Sequence, residues 1–208
     1  MPPGKTSYSL LKLKNRLDPL AAPQKVDEHL EGASHRANLP MVKRELIDAY
    51  VGLGANLGDA RQTLQEAVQA LQSNVGTADW LVSPLYKTAP IGGDAAQPDY
   101  INGVALFQTN LAPEALMLWL LETERHFGRD RSQDIARNSP RTLDLDLLLY
   151  DAITMDTPLL VLPHPRLHER AFVLRPLSDI APDLVIPGQG SVRSLLPTVS
   201  DQAIHRLE

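Results

Sequence analysis

The chain has 208 residues, 43% of them hydrophobic and 22% charged, an ordinary balance for one well-buried globular domain. A formal charge of -5 and a pI near 5.7 exclude a generalised nucleic-acid surface, so any anion site has to be a local cluster of cations. Without cysteine there is no disulfide, thiolate metal site or cysteine nucleophile; without a long apolar run or signal-peptide core, neither membrane insertion nor export is expected, and the chain reads as cytoplasmic.

Residues 1–48 carry Pro2, Pro3, Pro23 and Pro40, scattered charge of both signs and no sustained period. Such a stretch buries too little apolar surface to offset chain entropy, so it reads as a disordered N-terminal extension, with residues 49–208 as the folded domain. Met41 offers an alternative translation start immediately before the patterned region.

Residues 49–53 are a short apolar run ending in Gly52, Gly54 and Gly58, which predicts a strand turning tightly into a helix. The glycines match neither a dinucleotide fingerprint nor a P-loop. Asp59 is the expected N-cap of a helix in which Leu64, Ala67, Val68 and Leu71 recur at spacings of three and four. A strand over residues 80–87 is ended by loop chemistry at 88–93, and a second strand over 99–108 should pair with it antiparallel. Pro113 sits at an N1 position, opening a helix over about 114–127 with Leu116, Trp119, Leu120 and Thr123 or Glu124 on one face, and Gly128 closes it. The polar, arginine-rich connector from 129 to 140 is long enough to be a functional lid.

Then comes Arg141-Thr142-Leu143-Asp144-Leu145-Asp146-Leu147-Leu148-Leu149-Tyr150, whose alternation predicts a strand with Asp144 and Asp146 on one face and Leu143, Leu145, Leu147 and Leu149 on the other. Two like charges roughly 7 Å apart on one pleated face repel by about 0.6 kcal/mol in water, so a cation is expected beside them. Taken alone, D-x-D on a half-buried strand reads as a solvated polar face. Beside Arg129, Arg131, Arg137 and Arg141 it reads instead as a site for a metal and a polyphosphate, because Mg²⁺ takes one or two carboxylates and completes its shell with water and phosphate oxygens. Further on, residues 159–162 predict a short edge strand ended by Pro163, and 169–180 a short or broken helix around Pro176. The order β, α, β, β, α, β predicts an α+β ferredoxin-like sandwich with both helices on one face, C-terminal additions and the N-terminal arm.

Five ordered blocks carry a resemblance: Gly54-Ala55-Asn56-Leu57-Gly58, Tyr86-Lys87-Thr88-Ala89-Pro90, Asp99-Tyr100-Ile101-Asn102, Arg141-Thr142-Leu143-Asp144-Leu145-Asp146 and Pro163-His164-Pro165-Arg166. Together, over residues 49–187, they resemble the 6-hydroxymethyl-7,8-dihydropterin pyrophosphokinases of folate biosynthesis. That resemblance implies a ferredoxin-like fold and the transfer of pyrophosphate from ATP to the hydroxymethyl group of a reduced pterin, releasing AMP. It implies that Asp144 and Asp146 hold two Mg²⁺ ions on the ATP phosphates and that Arg129 and Arg141 contact phosphate as catalytic residues. Glu124, Arg131, Arg137, His164 and Arg170 match the ATP side. Tyr100 and Phe172 match the aromatic pair around the pterin, Asn102 the amide that reads its edge, and Thr88 and Ile91 pterin contacts made through backbone. The implied partners are pterin and ATP, with neither nucleic acid nor membrane; a monomer is expected, leaving open association with another folate-pathway enzyme.

The chain departs from the family pattern at Ser139, where glycine is common before Pro-Arg, at Asn138, where some members place tryptophan over the nucleotide, and at Ala55, usually serine. Two other readings compete: a different metal-dependent nucleotidyl or phosphoryl transferase on the same sandwich, and a non-catalytic module that binds a small ligand. Convergence of Tyr100, Asn102 and Phe172 beside the aspartates discriminates against the first; four arginines with two coplanar acids, which a binding module does not need, and production of AMP discriminate against the second.

Overall fold

The elements follow in the order β1 (Ile47–Ala55), α1 (Ala60–Gln72), β2 (Thr77–Val82), β3 (Tyr86–Thr88), β4 (Tyr100–Thr109), α2 (Pro113–His126) and β5 (Asp144–Tyr150). After them come β6 (Met155–Asp156), β7 (Val161–Leu162), α3 (Ala171–Ile180), β8 (Val185–Ile186), β9 (Gly190–Ser191), α4 (Val192–Leu195) and β10 (His205–Arg206). This computed structural model describes residues 45–73, 76–90, 97–129 and 139–208, all within the unit Lys43–Glu208. The N-terminal extension lies outside the described residues up to 44, and β1 begins at Ile47, ahead of the expected boundary at 48.

The main sheet runs β10-β3-β4-β1-β5, with β2 also on β4, and all its pairings are antiparallel. β1 lies between β4, which it pairs from Ile47 to Ala55, and β5, which it pairs from Ala49 to Gly54. The single strand expected over 80–87 is two, because Pro84 has no N–H to give a ladder. Ser83 bridges the break: its N–H donates to Val104 O at 2.9 Å and its Oγ accepts from Val104 N at 3.0 Å.

One face of the sheet takes α1 and α2. Asp59 caps α1 as expected, Oδ1 accepting from Gln62 N at 3.0 Å, and Leu64, Ala67 and Leu71 are buried. Pro113 opens α2, and Gly128 at φ +83 closes it, so that Gly128 N reaches Arg125 O and Arg129 N reaches Glu124 O at 3.0 Å. That two-bond closure needs a left-handed residue at 128 and turns Arg129 back toward the sheet.

The opposite face is covered too, which a two-layer reading with both helices on one side did not anticipate. α3 and the C-terminal elements pack Leu167, Leu174, Leu177, Ile186, Val192 and Val199 against Tyr50, Val104, Leu148 and Leu149. Leu149 thus belongs to this second core and not, as expected, with Leu143, Leu145 and Leu147. The reason is a bulge: the register steps from Tyr50↔Leu149 to Val51↔Leu147, and the extra residue, Leu148, reverses the alternation beyond it. α3 runs unbroken through Pro176, because the proline is buried with Val173, Leu174 and Leu177 and that packing outweighs one lost backbone bond. The short strand expected over 159–162 is β7, paired with β6 in a separate two-stranded sheet. No helix among the described residues is long and apolar enough to cross a membrane.

Candidate active site

The second face of the sheet is apolar at one end and polar at the other. Across β4, β1 and β5, Asn102 lies opposite Gly54 and Gly54 opposite Asp144; in the next row, Val104 lies opposite Gly52 and Gly52 opposite Asp146. Leu148 covers Gly52, while Gly54 leaves a bare floor: a Cβ there would sit 3.4 Å from Asn102 Oδ1 and 3.6 Å from Asp144 Cβ. Thr88, Ala89, Tyr100, Asn102, Arg141, Asp144, Asp146 and Gly54 surround this floor, and Arg166, Arg170 and Phe172 close it from the α3 side. A larger groove of about 720 Å³, between Arg61 and Gln65 of α1 and the C-terminal residues, contains no such convergence.

Behind the aspartates lies a buried ion-pair chain. Glu124, 1% exposed, accepts through Oε1 from Leu145 N at 2.8 Å and from Arg129 Nη1 at 2.9 Å. Arg129 Nη1 also donates to Leu143 O at 3.3 Å and to Asp144 Oδ1, while Arg141 Nη1 donates to Asp144 Oδ2 at 2.8 Å. The cation expected beside the acids is thus supplied at Asp144 by two guanidiniums. Glu124 and Arg129, which the resemblance assigns to the ATP and phosphate, are buried and absent from the cleft lining, and they set the position of Asp144 and of the β5 backbone.

Arg141 is itself anchored. Its N–H donates to Asn56 Oδ1 at 2.8 Å, its carbonyl accepts from Asn56 N at 3.1 Å, and Asn56 Nδ2 donates to Pro98 O at 3.2 Å. One buried amide at the end of β1 thereby ties the approach to β4 to the approach to β5. Tyr100 Oη donates to Ser139 O at 3.2 Å, and Ser139 O also accepts from Arg141 Nε at 3.1 Å. Asn102 Nδ2 donates to Thr88 Oγ1 at 2.9 Å, which orients the amide. Thr88 was expected to act through backbone; its hydroxyl sets Asn102.

On the far wall, Arg170 Cζ stands 5.3 Å from the centre of the Phe172 ring. Burial first, then Arg166, draws the Arg170 guanidinium below its ordinary pKa, opposed by Asp146 and Asp144. His164 flanks this wall. Burial, then Arg170, pushes its imidazole down to about 4. His164 Nδ1 accepts from Arg166 N at 3.2 Å, so the neutral ring carries its proton on Nε2.

Of the residues singled out in sequence, Thr88, Tyr100, Asn102, Arg141, Asp144, Asp146, Arg170 and Phe172 meet in one cleft, while Ile91, Arg131, Arg137 and Asn138 lie outside the described residues. Sequence reasoning missed Arg166, Gly54 and Asn56 as parts of the site, although all three stand inside the blocks Pro163-His164-Pro165-Arg166 and Gly54-Ala55-Asn56. Among the described residues no group of three or more His, Cys, Asp or Glu side chains could hold a metal. Two carboxylates beside guanidiniums fit the donor set of Mg²⁺ bound together with a phosphate chain.

The sequence profile of 7,8-dihydro-6-hydroxymethylpterin-pyrophosphokinase (HPPK) matches residues 50–182. A Pseudomonas aeruginosa protein named 2-amino-4-hydroxy-6-hydroxymethyldihydropteridine pyrophosphokinase is 44% identical over 158 residues, 76% of this chain and 95% of that one. A protein of the same name from Methylorubrum extorquens is 40% identical over 160 residues, 77% of this chain and 98% of that one. Among solved structures, wild-type HPPK-DHPS of Plasmodium falciparum aligns with a TM-score of 0.55 at 12% identity, a likeness of fold that covers 76% of this chain and 42% of that longer one. The chain belongs to the 7,8-dihydro-6-hydroxymethylpterin-pyrophosphokinase family.

Proposed function

We propose that this cleft is where the chain performs its family's reaction, the transfer of pyrophosphate from ATP to the hydroxymethyl group of 6-hydroxymethyl-7,8-dihydropterin, with release of AMP, in folate biosynthesis. The observation that carries the reading is convergence: an aromatic pair with an oriented amide, and an acid pair with guanidiniums, share one cleft. Neither a general phosphoryl transferase nor a binding module calls for both halves.

Tyr100 and Phe172 hold the flat pterin between their rings, and Asn102 reads its edge. Because Thr88 fixes Asn102 Nδ2, Oδ1 is left facing the Gly54 floor as an acceptor for a ring N–H. Arg141, Arg166 and Arg170 line the same cleft and bind the phosphate chain, with His164, close to Arg170 and Asp144, adding a neutral Nε2–H donor. Arg131, Arg137 and Ile91 belong to the same reading. Two Mg²⁺ ions held by Asp144 and Asp146 would neutralise charge on the phosphates and polarise them. Glu124 acts through Arg129, which holds Asp144 beside the Gly54 floor. The β10-β3-β4-β1-β5 order supports a ferredoxin-like sandwich as the frame. A monomer acting in the cytoplasm, where ATP and Mg²⁺ are at hand, goes with this reading; the HPPK-DHPS chain supports association with a second folate-pathway enzyme.

The test is direct: incubate the protein with ATP, Mg²⁺ and 6-hydroxymethyl-7,8-dihydropterin. AMP should appear in step with pyrophosphorylated pterin and only when all three are present. Absence of AMP, or formation of ADP in its place, overturns the reading.

A further inference from the structure

We infer that Gln202, in the C-terminal segment beyond the residues matched by the family profile, is a positioning residue for the wall of the cleft, an inference that rests on the pyrophosphokinase reading above. Arg170 is the N-cap of α3 and is extended, at φ -123 and ψ 116; its guanidinium has no acceptor to offer the helix N–H groups and lines the cleft over Phe172 instead. The helix start is satisfied from elsewhere in the chain. Gln202 Oε1 accepts from Ala171 N at 2.8 Å, and Gln202 Nε2 donates to Glu169 O at 2.8 Å.

The geometry explains why an amide suits this place. In an extended residue the carbonyl before it and the N–H after it point to the same side, so one amide group can pair with both. Gln202 brackets Arg170 in this way, and swinging Arg170 about its backbone breaks both bonds at once. Arg170 and Phe172 both leave from this clamped turn and line the cleft together, Arg170 Cζ 5.3 Å from the centre of the Phe172 ring. Gln202 is in turn held on both sides. Its N–H donates to Val199 O at 3.2 Å in the second core, and β10 just beyond it pairs with β3, with Leu207 N donating to Leu85 O at 2.8 Å.

Steady-state kinetics of the full chain test this. Gln202→Ala should raise KM for the pterin roughly tenfold, the effect of losing about one net hydrogen bond and a cap, while kcat falls less than about threefold. Because Gln202 acts through the clamped turn, the same change made in a Phe172→Ala background should add little to KM. Gln202→Glu keeps the acceptor for Ala171 at the positively polarised helix start and should recover part of the KM, which also covers the case of a lower melting temperature in Gln202→Ala. Unchanged KM in Gln202→Ala, or a KM effect that multiplies fully with Phe172→Ala, overturns the inference. Because wild-type AMP production is measured alongside, failure of the pyrophosphokinase reading would appear there first, independently of Gln202.

Discussion

At Asp144 two demands meet: it is held by Arg129 and Arg141, and it is proposed to hold a metal. Relief of like-charge repulsion, taken alone, would let an asparagine at either position spare or even raise stability. The ion pairs reverse that for Asp144, whose loss leaves Arg129, only 6% exposed, short of a carboxylate. Asp144→Asn should therefore lower stability by about 1–3 kcal/mol, less than a fully buried pair would cost because Asp144 is 22% exposed. Either Asn variant should lose about a hundred- to a thousandfold in turnover, the scale of removing one electrostatic stabiliser. Urea unfolding and AMP release measured on the same samples check both halves; an Asp144→Asn protein as stable as wild type would contradict the buried network. His164 gives a pH signature. Its folded pKa of about 4 lies below the ordinary 6.5, so between those values the unfolded chain binds a proton that the folded chain does not. Stability should rise with pH across that window and be indifferent to His164 above it. Melting temperatures from pH 4 to 7 should show a shallower slope in His164→Asn; parallel curves would mean that the imidazole is not kept neutral by the fold.

At the scale of elements, the cleft depends on how α3 is set against the sheet. Its start is held by Gln202, and toward its end Tyr86 Oη of β3 donates to Asp179 Oδ2 at 2.7 Å. Burial, and then this bond, pushes the Tyr86 phenol up to about 12. Tyr86→Phe keeps the ring and deletes the clip, and should cost about 1–3 kcal/mol, typical of a hydrogen bond to a carboxylate. Since neither Tyr86 nor Asp179 lines the cleft, turnover per folded molecule should hold. A shifted denaturant midpoint with unchanged kcat/KM is the expected pair of results; an unshifted midpoint would show that the second core alone seats α3.

Among the described residues of the whole molecule, both cores are drawn from residues 47–204, on the two faces of one sheet. We propose that the N-terminal extension contributes neither packing nor chemistry. A chain started at Met41 should match the full chain in melting temperature and AMP production, and a marked drop in either would give those residues a role.

The strand carrying Asp144 and Asp146, the cap at Asp59, the proline start and glycine stop of α2 and the place of Arg129 and Arg141 beside Asp144 were legible in the sequence, because each follows from local rules of period, capping and charge. Resemblance in five short blocks singled out Tyr100, Asn102 and Phe172, which line the cleft and are proposed to hold the pterin. What local rules cannot carry is anything that depends on a partner far along the chain. The bulge at Leu148 that redirects Leu149, the seating of α3 despite Pro176 and the burial of Glu124 behind Asp144 all arise from packing between elements brought together only on folding. Asn56 reaches Arg141 across 85 residues, and Gln202 reaches Ala171 across 31; each is an unremarkable amide in sequence, given its task by the neighbour that the tertiary structure supplies.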